Sequence, residues 1–70
     1  MIKVKSISLN PSTMKAEAVL FSDTKAEVES TEVSEIQGFP ANYELDFGSS
    51  VMTASGELAY MKSDNNWNWV

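Results

Sequence analysis

A chain of 70 residues that contains neither cysteine nor histidine has to hold its fold together without disulfides and without a zinc site of the usual kind. Chains of this length bury only about 60% of the surface that their unfolded form exposes, and their cores supply only about 3–5 kcal/mol of net stability. Self-association is the remaining source of stability. We therefore expect one small domain over residues 1–70 that associates with copies of itself or with other proteins.

The sequence indicates neither secretion nor membrane insertion. The first ten residues, MIKVKSISLN, contain lysines but no apolar signal-peptide core, and no apolar run approaches the ~20 residues of a membrane-spanning helix. We expect a protein without membrane contact that is cytoplasmic in the cell that makes it. The absence of cysteine agrees with that compartment.

The net charge of −5 is unevenly distributed. Residues 1–22 hold three lysines and one glutamate, whereas residues 23–46 hold seven acids and one lysine. Nucleic acid is a disfavoured partner, because phosphate binding needs a basic surface. The acidic middle is typical of a solvated surface. The alternative is an acidic docking site through which the chain regulates a host protein.

The N-terminal segments predict a β-hairpin of residues 2–9 and 14–21, joined by an NPST turn. Pairing across a four-residue loop places Leu9 beside Met14 and Ile7 beside Ala16. The apolar face then changes sides along the hairpin. Either a bulge near Ser6 reverses the side-chain direction, or the open end is covered on both faces, for example by another subunit.

The acidic connection is the ambiguous part of the chain. Thr24 and Glu27 have the spacing of a helix capping box, but the apolar positions that follow fit a helical period poorly. We expect at most a short helix around residues 24–30 and an extended segment after it. Gly38, Pro40 and Asn42 then indicate a turn.

The C-terminal half predicts strands. YELDF alternates apolar and polar residues, and a three-stranded antiparallel meander follows at about 49–54, 57–62 and 67–70. Ser55 and Gly56 suit a tight hairpin turn, and the SDNN segment suits a second turn. The expected fold is mostly β, as a small β or α+β domain.

No residue pattern indicates catalysis, a metal or a cofactor. Without histidine, a serine nucleophile lacks its usual base, and neighbouring Ser–Lys pairs on a strand are expected to point to opposite faces. SDNN lacks the spacing and the glycine of a calcium loop, and the three glycines are scattered rather than clustered around a phosphate site. We expect a non-enzymatic protein without cofactors.

The aromatic residues are the candidates for a binding surface. Trp67 and Trp69 share one face of a strand, and Tyr60 lies on the neighbouring strand. These rings either fill the core or a subunit interface, which is the favoured reading, or form a platform for a small ligand such as a carbohydrate. The candidate contact residues are Tyr60, Trp67, Trp69, Ile2, Val4 and Phe21.

The segment IQGFPANYELDFGSSVMTASGELAYMKSDNNWNWV resembles small, mostly uncharacterised proteins encoded among the structural genes of tailed phages and prophages. The similarity extends over about residues 22–70, and the matching residues are Gly38, Pro40, Tyr43, Gly48, Ser49, Gly56, Tyr60, Asp64 and Trp67. The resemblance implies a virion-associated or accessory phage protein that acts through protein contacts. It carries over no catalytic residues.

Overall fold

The computed structural model describes residues 1–61 and 66–70 and is mostly β, with a six-stranded sheet and one short α-helix. The elements in chain order are β1 (Lys3–Asn10), β2 (Lys15–Ser22), α1 (Lys25–Ser30), a 3-10 turn (Val33–Glu35), β3 (Glu44–Leu45), β4 (Ser50–Thr53), β5 (Leu58–Met61) and β6 (Trp67–Trp69). The expected fold class is thereby confirmed.

β1 and β2 form the expected hairpin, but in a different register. Leu9 pairs with Ala16 and Ile7 with Ala18, so the predicted partners were two residues away from the observed ones. The reason is the turn, which occupies residues 11–14 with Met14 in the left-handed region at φ 56°. Met14 therefore belongs to the turn and begins no strand.

The predicted β-bulge is present. The pairing of β1 with β2 shifts between Val4 and Ser6, which leaves Lys5 without an opposite residue. Because a bulge reverses the direction of the side chains, Ile2 and Val4 lie on the same face as Leu20, the residue opposite Val4.

The connection contains the short helix that the sequence predicted, at Lys25–Ser30. The hydroxyl of Thr24 caps it by accepting a hydrogen bond from the Glu27 amide at 3.1 Å. The extended segment expected after the helix is interrupted. Residues Val33–Glu35 form a 3-10 turn, because Glu32 and Glu35 make a capping box of their own.

The C-terminal meander is confirmed, with β4 antiparallel to β5 and β5 antiparallel to β6. The first turn closes through a hydrogen bond from the Thr53 amide to the Glu57 carbonyl at 2.9 Å, with Gly56 at φ +88°. A three-residue loop ending in a left-handed glycine is a common hairpin connection. The predicted SDNN turn at 63–66 lies outside the described residues, except for Asn66.

The hairpin and the meander are joined by parallel pairing of β2 with β4, and the five main strands lie in the order β1-β2-β4-β5-β6. The short strand β3 pairs with the same edge of β2 as β4 does, at the end of β2 that follows the hairpin turn. Ala16 is opposite Leu45 but Val19 is opposite Ser50, so two extra residues lie on the β3–β4 side. Buried Ser49 spans this break by accepting a hydrogen bond from the Ala18 amide at 3.0 Å.

The core lies on one face of the sheet, under α1 and the connection. Val28 of the helix and Ile36 after the 3-10 turn pack there against Ile2, which precedes β1, and against the strand residues Ala18, Leu20, Leu45, Val51, Ala59 and Met61. We call this side the core face and the opposite side the outer face. No helix among the described residues is long and apolar enough to cross a membrane.

Candidate functional site

The outer face of the sheet carries large apolar side chains in solvent. Val19, Met52 and Tyr60 are 47%, 48% and 45% exposed, although each lies in the middle of a paired strand. An antiparallel sheet with one solvated face ordinarily alternates apolar residues inward with polar residues outward. Here five of the six outward positions where β2, β4 and β5 pair are apolar as well.

These side chains form a continuous surface. Phe21 on β2 is opposite Met52 on β4, and Met52 is opposite Leu58 on β5. Residues two apart on a strand point to the same face, which adds Val19 beside Phe21 and Tyr60 beside Leu58. We call these five residues the outer patch. Ser50 lies among them, between Val19 and Tyr60.

Lysines border the outer patch along strand β1. The ammonium groups of Lys3 and Lys5 lie 6.0 and 5.9 Å from the centre of the Phe21 ring, within the range of a cation–π contact. They shield part of the ring, which explains why Phe21 is less exposed than Val19. Lys15 makes a similar contact with Phe47, at 5.3 Å, closer to the hairpin turn.

The structure divides the six predicted contact residues between the two faces. Tyr60 and Phe21 belong to the outer patch. Ile2 is 3% exposed and belongs to the core, and Val4 packs against that core. The bulge causes this division, because it turns the first residues of β1 away from the side that Phe21 occupies.

Trp67 and Trp69 lie on the core face. They are opposite Met61 and Ala59, which are both buried, and their rings pack against the core. The two rings share one face, as expected, and they pack against the core of their own chain. Tyr60 points the other way, so the structure does not place the three rings on one platform.

A groove of about 540 Å³ opens on the core face, beside Trp67. Its floor consists of buried residues such as Leu20 and Met61, and Glu29 and Glu32 stand at its rim. In residues 1–61 and 66–70, no group of three or more acidic side chains is arranged to hold a metal ion.

One polar network joins the chain start to the helix start. The Met1 ammonium group contacts Asp23 at 3.1 Å and also Glu27, whose carboxylate accepts a hydrogen bond from the buried Ser22 hydroxyl at 2.6 Å. The ammonium group and the Ser22 hydroxyl lower the pKa of Glu27, and the two carboxylates, Glu27 first, raise the pKa of the amino group. This network is a structural anchor on the surface.

The bulge also changes the side to which the neighbouring residues Lys5 and Ser6 point. Ser6 is opposite outward-facing Val19, and Lys5 reaches the same side, so the expectation that they point to opposite faces was wrong. The Lys5 ammonium group nevertheless lies over the Phe21 ring.

The sequence reasoning did not select Val19, Met52 or Leu58 as contact residues. A signal for them exists in the runs AVLF at 18–21 and LAYM at 58–61, where consecutive residues are apolar. A strand that is apolar on both faces is covered on both faces in most folds. Here α1 and the connection cover only the core face, so such runs leave apolar residues on the outer face.

No protein-family model, curated protein or solved structure matches this chain, so its candidate site rests on the geometry of the outer face.

Proposed function

We propose that this chain is a non-enzymatic protein-interaction module that binds its partner through the outer patch. The observation that carries the proposal is the exposure of Val19, Met52 and Tyr60 at the centre of a paired sheet. Contiguous exposed apolar surface of this kind marks interaction sites in soluble proteins.

The composition of the outer patch supports a protein partner. Tyrosine is enriched among the residues that dominate binding energy, and methionine adapts its shape to the opposing surface. Removing the remaining exposed half of each of the three most exposed side chains from water contributes roughly 1 kcal/mol apiece. Such a surface gives a modest affinity, typical of a module that assembles through several weak contacts.

A non-enzymatic role is supported by the residues that the chain offers. It has no histidine or cysteine to serve as base or nucleophile, and the groove on the core face has a floor of apolar side chains. A carbohydrate platform was the alternative proposal. The aromatic face available to a carbohydrate is smaller than expected, because Tyr60 lies on the side opposite to Trp67 and Trp69.

The resemblance of residues 22–70 to small phage proteins gives the proposal a biological setting. We propose that the partner is a protein of a phage particle or of its assembly, met in the cytoplasm of the producing cell or in the virion. The genes that flank the coding sequence test this setting, since capsid or tail genes are expected beside it.

Photo-crosslinking in the producing cell tests the proposed surface. With p-benzoylphenylalanine in place of Tyr60, irradiation should give adducts of defined mass, because the reactive group lies within the outer patch. The control places the same residue at Ser34, which is exposed on the 3-10 turn. Equal labelling from positions 60 and 34, or no adduct from either, would contradict the proposal.

A further inference from the structure

We infer that the occupant of the outer patch is a second copy of this chain, bound face to face about a two-fold axis parallel to the strands. The inference rests on the proposed function and names its partner. The resulting dimer is a β-sandwich, in which each α1 and its connection cover the outside.

The order of the strands makes the outer patch complementary to itself. β4 is the middle strand of the five, so an axis along it places Met52 over Met52 of the second copy. The same rotation places β2 over β5, which sets Phe21 against Leu58 and Val19 against Tyr60. Every apolar residue of the patch then meets an apolar residue.

The charges on the outer face favour this axis. Lys3 and Lys5 lie along β1, at one edge of the sheet, and the rotation places β1 over β6 of the second copy. The outward residue of β6, the uncharged Asn68, then lies over Ser6, and no lysine lies over a lysine. A perpendicular axis would set β1 over β1 and bring the lysines of the two copies together. The charged residues Lys15 and Glu17 lie outside the part of β2 that pairs with β4, and therefore outside the proposed contact.

The area of the outer face is sufficient for a weak dimer. Five strands at about 4.8 Å spacing and about four residues long present roughly 300 Å² of flat face. Two such faces present roughly 600 Å² in total, before the relief of the side chains is counted. An interface of this size lies at the weak end of specific association, so we expect the dimer to form only at high protein concentration.

A head-to-tail stack is the competing arrangement. It would set the outer patch of one copy against the outside of α1 in the next, where the exposed residues are Lys25, Ala26, Glu29 and Ser30. That surface offers one methyl group and several charges to five apolar side chains. A stack of this kind would also continue without end, because its interface is not closed by symmetry.

Sedimentation equilibrium from 5 μM to 1 mM tests the inference. The wild-type mass should rise to twice the chain mass and stop there. Met52→Glu should remain a monomer over the whole range, because the axis buries two glutamates against each other. The matched control Ser34→Glu adds the same charge on the opposite side and should dimerise like the wild type. Circular dichroism at 5 μM checks that all three are folded.

A bis-maleimide crosslinker tests the axis. The chain has no cysteine, so Met52→Cys introduces a single thiol, and Ser34→Cys is its control. Packed sheets lie about 10 Å apart, too far for a direct disulfide but within reach of a short linker. Covalent dimer should form through position 52 and not through position 34.

A wild-type mass that stays at one chain up to 1 mM would overturn the inference, and so would a mass that grows past two chains. Crosslinking through both positions would overturn the axis. These failures are distinct from failure of the proposed function, because photo-crosslinks from position 60 to a different protein would keep the interaction module and remove only the second copy.

Discussion

Ser49→Ala is expected to destabilise the fold far more than the loss of one surface hydroxyl would. Ser49 is fully buried, and its hydroxyl accepts the hydrogen bond of the Ala18 amide at 3.0 Å where β3 and β4 are interrupted. It also lies 3.5 Å from the Ala16 carbonyl, which is a long contact. The alanine variant keeps the shape of the chain but leaves the Ala18 amide buried without an acceptor.

The cost follows from that unpaired amide. A buried donor without a partner costs about 1–3 kcal/mol, against a total stability of about 3–5 kcal/mol for a domain of this size. In a domain of 60–100 residues each kcal/mol corresponds to about 4–8 °C in Tm, so a loss of about 2 kcal/mol lowers Tm by roughly 8–16 °C.

Urea unfolding followed by tryptophan fluorescence measures this loss as a lower midpoint at an unchanged slope. Ser34→Ala is the matched control, because Ser34 is exposed, and it should stay within about 0.5 kcal/mol of the wild type. If Ser49→Ala unfolds within that same margin, the Ala18 amide has another acceptor and the role assigned to Ser49 is wrong.

Two further predictions concern the turn and the anchor. Gly56→Ala should lower the free energy of unfolding by about 1–2 kcal/mol in thermal unfolding, because φ at this position is +88°, although no atom lies within 4 Å of the added methyl group. Gly56→Asn should cost less, because asparagine tolerates this region better. Equal losses for the two variants would mean that the turn had changed shape. The lowered pKa of Glu27 gives stability that is present above its ordinary value of 4.5 and lost as the pH falls, whereas the raised pKa of the Met1 amino group gives stability that is lost as the pH rises above 8.0. Glu27→Gln should therefore lower Tm most near pH 6 and hardly at all in strong acid, and a pH-independent difference would contradict this account.

The local features of the fold could be predicted because neighbouring residues determine them. Asn10 and Pro11 at one turn, Gly56 at another, and Thr24 at the start of the helix act through hydrogen bonds and backbone angles within a few residues. The bulge near Ser6 could be inferred because the apolar alternation of β1 reverses there.

The features that the sequence could not supply depend on contacts between distant residues. Parallel pairing of β2 with β4 joins Val19 to Ser50 across the whole acidic connection, and no local pattern names that partner. In the sequence, Ser49 is a polar residue after a glycine, and nothing nearby indicates its role, because the Ala18 amide that it binds lies on a different strand. The predicted hairpin register was wrong for a local reason. Met14 lies at positive φ, and no sequence signature indicates that conformation for an unbranched residue.

Only part of the candidate site could be predicted from the sequence, for a physical reason. Aromatic residues were selected by their size, and size does not tell which face of a strand a side chain occupies. Tyr60 and Trp69 lie on neighbouring strands, yet only Tyr60 lies on the outer face, because Trp69 is opposite buried Ala59. The face of each residue could be assigned only after the register was known.

The bulge at Lys5 connects the fold to the proposed function. In a regular hairpin, Ile2 and Val4 would point to the same side as Phe21, and the core would lose Ile2, which is now 3% exposed within it. One extra residue instead divides the apolar side chains of the hairpin between the two faces. The core face then holds Ile2 and Val4 together with Leu20, whereas Phe21 and Val19 remain on the outer face. The ammonium groups of Lys3 and Lys5 lie over the Phe21 ring and give the edge of that surface charged, hydrated groups. The division therefore places the outer patch on the face opposite to the core, which is the arrangement that the proposed association requires.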